Sequence, residues 1–211
     1  VRVFELTAAV TGCNQRCSTQ NQLDADAVWL PANHHAGYYP GAQEMLVKIS
    51  YRRSTGQLLG AQIVGQQGVD KRIDEQLTQL DLAYAPPFGS AKDPVHMAGF
   101  LAENQRRGLA SVLPPDTAHL PTDAQVVDVR TAAEWHAGHL PRARWIPLPE
   151  LRARHHELNP RLPVVTICRG GQRAYVAARL LRQLGFDDVR VLSGGMWLQQ
   201  QRATPAAATH N

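Results

Sequence analysis

Apolar and polar positions alternate along Leu46-Val47-Lys48-Ile49-Ser50-Tyr51, the pattern of a strand with one face buried and the other open. A second run, Leu58-Leu59-Gly60-Ala61-Gln62-Ile63-Val64-Gly65, follows across Ser54-Thr55-Gly56-Gln57, whose turn residues join the two strands into a hairpin. Val3-Phe4-Glu5-Leu6-Thr7-Ala8-Ala9-Val10 and Trp29-Leu30 are further strand candidates, so the first half predicts an antiparallel α+β domain. The second half has another rhythm. Val164-Val165-Thr166-Ile167 is apolar or β-branched throughout, as a strand buried on both faces is, and Arg173 opens an amphipathic run through Leu180, Leu181 and Leu184 that stops at Gly185.

The change of rhythm has a legible seam. Asn104-Gln105-Arg106-Arg107-Gly108 ends an apolar stretch, and Pro114-Pro115-Asp116 with Pro121-Thr122-Asp123 supplies turn chemistry before a strand at Val126. We therefore expect domains over residues 1–107 and 119–203, a linker at 108–118 and a tail at 204–211. A length of 211 residues allows one or two domains. Hydrophobic content of 44% against 19% charged is ordinary for a globular chain. No apolar run reaches the length of a membrane span, and Val1-Arg2-Val3-Phe4-Glu5 lacks the core of a signal peptide, so a soluble cytoplasmic protein is expected. Three cysteines, an odd number, argue against a secreted disulfide scaffold. The formal charge of +4 falls entirely in residues 111–211, which hold 12 arginines and 8 carboxylates, whereas residues 1–110 balance 10 cations with 10 carboxylates. Such a field would draw small anions, and no basic run with interleaved aromatics points to nucleic acid.

Candidate chemistry centres on Cys168, placed where a strand ends and a helix begins. The curled loop Arg169-Gly170-Gly171-Gln172-Arg173 would aim successive N–H groups at one point, backed by the positive end of the helix. A cysteine there should be a thiolate at neutral pH, with Arg169 and Arg173 favouring the charged form. The competing reading is a buried structural cysteine. Asp128, Arg130 and Glu134, around a strand end, are expected to pair with one another and with exposed backbone as structural support. His139 is expected to pack and hydrogen bond, and His155-His156 to be solvated. No metal site is expected. Cys13 and Cys17, with three residues between them, carry too weak a signal to expect pairing or metal binding.

The spacing of Cys168, Gly171 and Arg173 resembles the Cys-x-x-Gly-x-Arg loop of rhodanese sulfurtransferases. Val126-Val127-Asp128-Val129-Arg130, Glu134 and Gly138-His139-Leu140-Pro141-Arg142-Ala143 are similar to that family's upstream signature, with Arg142 where a glycine is usual. Val189-Arg190-Val191-Leu192-Ser193-Gly194-Gly195-Met196-Trp197 resembles its last strand and the turn into a final helix. The resemblance implies a three-layer α/β domain with a parallel sheet and sulfur transfer through a Cys168 persulfide. Rhodanese-like phosphatases share the cysteine loop but carry a longer one, whereas only six residues run from Cys168 to Arg173 here.

The first half resembles the C-terminal dimerisation domain of pyridine nucleotide-disulfide reductases. The residues concerned are His35-Ala36-Gly37-Tyr38-Tyr39-Pro40-Gly41-Ala42, Gly60-Ala61-Gln62-Ile63-Val64-Gly65, Val69-Asp70-Lys71-Arg72-Ile73-Asp74, Leu82-Ala83-Tyr84-Ala85-Pro86-Pro87-Phe88 and Ser90 to Gly99. Within that family the coenzyme A-disulfide reductases fused to rhodanese, also described as persulfide reductases, carry the two domains in this order. The resemblance implies a homodimer, FAD and NAD(P)H bound by domains absent from this chain, and coenzyme A persulfide or disulfide, or thiosulfate, as sulfur compounds. It also makes Tyr39 and Tyr84 the tyrosines lent to the partner subunit's active site. The stretch between Asp74 and Leu80 is shorter than in the family, from a deletion or from a missing loop. A non-catalytic dimerisation module is the remaining alternative.

Overall fold

In the computed structural model, which describes residues 1–69 and 93–203, the expected hairpin is present as β4 (Glu44–Arg52) and β5 (Leu58–Gly65). Their register runs from Met45 opposite Gly65 to Tyr51 opposite Leu58. β1 (Arg2–Val3), β2 (Leu6–Gly12) and β3 (Ala25–Asn33) complete an antiparallel sheet of order β1-β2-β5-β4-β3. The alternation chooses the buried face. Val28, Met45, Val47, Ile49 and Ile63 point to one side, where Val95, Ala98 and Ala102 of helix α2 (Pro94–Arg106) pack on them. The α2 helix is started by the Asp93 side chain, which accepts from Val95 N–H at 2.9 Å, and by proline in the first turn, where a missing N–H costs nothing.

Two local expectations are corrected in this half. Val3 to Val10 is not one strand: Phe4, at φ +53°, turns the chain so that Val3 pairs with Leu6. Cys13 and Cys17 do pair. Gly12 turns the chain at φ +64°, Cys13 N–H donates to Leu59 C=O at 2.7 Å, and Asn14 caps the short helix α1 (Gln15–Gln20) through the Cys17 N–H. Those bonds set the two Cα atoms 5.4 Å apart, within disulfide range, and the bridge is formed. The Asp74–Leu80 stretch and Tyr84 lie outside the described residues.

The chain divides into two compact units, Val1–Leu109 and Ala110–Asn211. The second unit holds a parallel sheet of order β6-β10-β9-β7-β8, formed by β6 (Val112–Leu113), β7 (Gln125–Asp128), β8 (Arg144–Trp145), β9 (Val164–Ile167) and β10 (Val189–Leu192). The edge strand β6 lies inside the stretch expected to be linker. Helices α3 (Ala132–His136), α4 (Leu151–Arg154), α5 (Gln172–Gln183) and α6 (Gly195–Ala203) complete the unit. Its core lies in two layers, one on each side of the central strand β9. Val164 and Cys168 join Leu151, Ala174, Ala177 and Leu181, while Val165 and Ile167 join Leu192 and Met196. Every residue of β9 is buried, and each such aliphatic side chain contributes about 1.5–3 kcal/mol. The end of β9, where the chemistry sits, is therefore held from both faces.

Candidate functional site

Strand β9 ends at Ile167 and helix α5 starts at Gln172, so Cys168 occupies the first position of the connecting loop. The thiol side chain is 2% exposed. Gly171, the residue that caps α5, stands at φ +125°, a conformation side chains rarely adopt, and its N–H donates to Cys168 Sγ at 3.1 Å. A loop amide at the N-terminus of a twelve-residue helix thus points at the sulfur and favours negative charge there. Arg169 is exposed, and Gly170 is half-buried. Gln172, exposed, and Arg173 open the first turn of α5.

Arg173 reaches back across the site. Its guanidinium gives Glu134 two bonds, of 2.7 and 2.6 Å, and its positive charge acts on the Cys168 sulfur. Glu134 is held in turn by Thr131, whose N–H and hydroxyl both donate to its Oε2, while Glu134 N–H donates to the Thr131 hydroxyl. This capping box fixes the carboxylate at the start of α3. The Arg173 hydrogen bond holds the Glu134 carboxyl down at about 2, assisted by Thr131 and opposed by burial. Arg173 is raised by Glu134 first, and the sulfur adds to it.

Asp128 and Arg130 form a separate pair beneath α3. Both are almost fully buried, three guanidinium bonds of 2.7–3.0 Å join them, and Arg130 also donates to Gly138 C=O at 2.7 Å. The expectation that Glu134 would share in that pairing is corrected, because its partner is Arg173 on the other side of the loop. His139 is exposed and stacks on Trp135 at 3.6 Å between ring centroids, with Nδ1 3.2 Å from Trp135 C=O. Arg142 takes φ +64°, which accounts for a glycine being usual at that place. His155 is half-buried and His156 exposed.

Sequence reasoning missed how the loop is held from behind. The first turn of α6 donates Met196 N–H to Cys168 C=O at 2.8 Å and Trp197 N–H to Arg169 C=O at 2.9 Å. Gly195, at φ +50°, permits that approach. A Cβ on it would stand 2.3 Å from Cys168 O and 2.6 Å from Arg169 O. Thr131 was also missed, although Thr131-x-x-Glu134 is a legible capping signature.

Tyr39 lies in the first unit, between β3 and β4, and is 41% exposed. Its ring meets the buried His35 edge-on, with centroids 5.6 Å apart. A cleft of about 210 Å³ in the same unit is lined by Tyr51, His96, Phe100 and Arg106 and holds no sequence-predicted site residue. Among the described residues no cluster of His, Cys, Asp and Glu could hold a metal ion, and no helix is long and apolar enough to cross a membrane.

Comparison with known proteins gives two family matches. Residues 1–86 match the pyridine nucleotide-disulphide oxidoreductase dimerisation domain, and residues 116–198 match the rhodanese-like domain. The crystal structure of reduced CoADR-RHD from Bacillus anthracis is similar at a TM-score of 0.86 and 36% identity, covering 93% of this chain and 38% of that one. A NAD-dependent persulfide reductase from A. fulgidus follows at 0.82 and 35%, covering 92% of this chain and 38% of that one. A coenzyme A disulfide reductase of Staphylococcus aureus is 35% identical over 115 residues, which is 49% of this chain and 26% of the relative. The chain therefore spans about a quarter of that relative and less than half of either structure.

Proposed function

Since the chain joins a pyridine nucleotide-disulphide oxidoreductase dimerisation domain to a rhodanese-like domain, as coenzyme A-disulfide reductase/rhodanese fusions do, we propose that its second unit transfers sulfane sulfur through a persulfide on Cys168. One observation carries this reading: the Cys168 sulfur receives the Gly171 N–H at 3.1 Å at the mouth of a helix whose first turn also carries the Arg173 charge. The amide and the positive charge stabilise anionic sulfur, and a persulfide is an anion one sulfur atom longer.

The proposed cycle has two steps. The Cys168 thiolate attacks the outer sulfur of thiosulfate, the sulfur–sulfur bond breaks, and sulfite departs with the electron pair. A nucleophile such as cyanide then attacks the terminal sulfur of the persulfide, leaves as thiocyanate, and returns the thiolate. Arg173 balances charge throughout, and the exposed Arg169 attracts the anionic donor.

In the whole protein we propose reduction of a coenzyme A disulfide or persulfide, with FAD and NAD(P)H supplying electrons. No Gly-x-Gly-x-x-Gly turn for a dinucleotide occurs in this sequence, so the residues present do not supply the phosphate-binding turn those groups need. Tyr39, with Tyr84, would donate a proton to a leaving thiolate in the partner subunit of a homodimer. The proposal for this chain is tested by thiosulfate:cyanide transfer. Wild type should form thiocyanate and Cys168→Ser should not. Turnover of an aryl phosphate in place of thiosulfate would contradict the assignment.

A further inference from the structure

We infer that the Cys13–Cys17 bridge is a second redox site, a reversible dithiol/disulfide pair that exchanges with small-molecule thiols and their disulfides. The inference rests on the first unit alone and is independent of the Cys168 reading.

Backbone contacts that do not involve sulfur hold both half-cystines in place. Cys13 N–H is bound to Leu59 C=O at 2.7 Å, and β5 presses so closely that a Cβ on Gly60 would stand 2.6 Å from both Cys13 N and Cys13 O. Cys17 sits in the first turn of α1, where its N–H is bound to Asn14 Oδ1 at 2.9 Å and its C=O accepts the Asn21 side chain at 2.8 Å. Ser18, buried beneath the turn, adds Oγ–H to Asn14 C=O at 3.1 Å. Opening the bridge removes none of these bonds. The two thiols would stay with their Cα atoms about 5.4 Å apart, ready to close again.

The ring is also a poor structural staple. A sequence separation of 4 closes one of the shortest loops a disulfide can make, and a crosslink restrains the unfolded chain least when its loop is shortest. Access and polarity favour exchange instead. Both cysteines are half-buried rather than enclosed. Asn21 Nδ2, which has a second N–H beyond the one given to Cys17 C=O, lies 3.6 Å from Cys17 Sγ, so Cys17 expelled as thiolate has a donor beside it, and Ser18 Oγ lies 3.6 Å from Cys13 Sγ. The first turn of α1 holds no acidic residue, and Arg16 stands between the cysteines in sequence.

The chemistry balances with a small thiol as reductant. A thiolate attacks one sulfur of the bridge, forms a mixed disulfide and expels the other as thiolate. A second thiol molecule attacks the mixed disulfide, so two thiols become one disulfide and the bridge becomes two cysteine thiols. A small disulfide runs the same steps backward.

The test uses the full chain carrying Cys168→Ser, so that its outcome is separate from that of sulfur transfer. The protein is equilibrated in native buffer with glutathione at a series of reduced-to-oxidised ratios, alkylated, and read by mass spectrometry of the peptides holding Cys13 and Cys17. The expected result is a reversible conversion in which both cysteines gain or lose the alkyl label together, with circular dichroism unchanged. Adding Cys17→Ser should leave Cys13 trapping one glutathione as a stable mixed disulfide. Three results would overturn the inference: a bridge that opens only when the protein is denatured, thiols that do not re-form it with oxidised glutathione, or a double variant that traps no glutathione.

Discussion

Arg173 is fixed by two short bonds to Glu134 and its charge acts on the Cys168 sulfur, whereas Arg169 of the same loop stands exposed. Arg173→Ala should therefore lower both persulfide formation and stability, while Arg169→Ala should raise KM for thiosulfate with little change in kcat. Equal behaviour of the two variants in steady-state kinetics would show the roles to be misassigned. Glu134 adds a pH dependence of definite sign. Its carboxyl is depressed from 4.5 to about 2, so its contribution is complete above the ordinary carboxylate value and fades as pH falls toward 2. The pair is partly open to solvent, so Glu134→Gln should cost only about 1 kcal/mol at neutral pH. Denaturant unfolding of the two proteins should converge as pH is lowered through 4 toward 3, as far as both remain folded. A gap that widens on acidification would contradict the ion pair.

The elements around the loop act as a vice, with α5 supplying the amide that meets the sulfur and α6 gripping the carbonyls behind it. Gly195→Ala forces a Cβ against Cys168 O and Arg169 O and strains a backbone at φ +50°. We expect a stability loss of roughly 1–3 kcal/mol and a fall in transfer rate of about 100-fold, since a shift of about 1 Å in reacting atoms is enough for that. Wild-type kinetics in this variant would mean that α6 does not set the loop. At this scale much was legible in the sequence. The alternation of β4, the turn before β5, and the apolar run of β9 leading to a glycine-bearing loop each name their element through local periodicity. What escaped depends on residues meeting across the fold. Glu134 finds Arg173 because β7 and β9 are neighbours, and Cys13 finds Cys17 because Gly12 turns the chain against Leu59. Neither contact has a periodic signature. The turn at Phe4 uses a residue that turn statistics disfavour, and α2 was overlooked although Asp93-Pro94 is a fair helix-start signal.

The molecule as a whole couples a neutral half that matches a dimerisation domain to an arginine-rich half that matches a rhodanese-like domain. A homodimer is expected by light scattering at micromolar concentration, and a monomer would remove the cross-subunit role of Tyr39 and Tyr84. In the full-length protein, Tyr39→Phe should slow NAD(P)H-dependent reduction of a coenzyme A disulfide and spare cyanide-dependent transfer. With all of the +4 formal charge in the second half, KM for thiosulfate should climb as salt is added. The central claim, that sulfur is carried on Cys168, is tested most directly by the intact mass of the chain after exposure to thiosulfate. The account predicts a gain of one sulfur atom that cyanide removes, retained in Cys13→Ser and Cys17→Ser and absent from Cys168→Ser. An added sulfur that persists in Cys168→Ser, or none in the wild type, would contradict it.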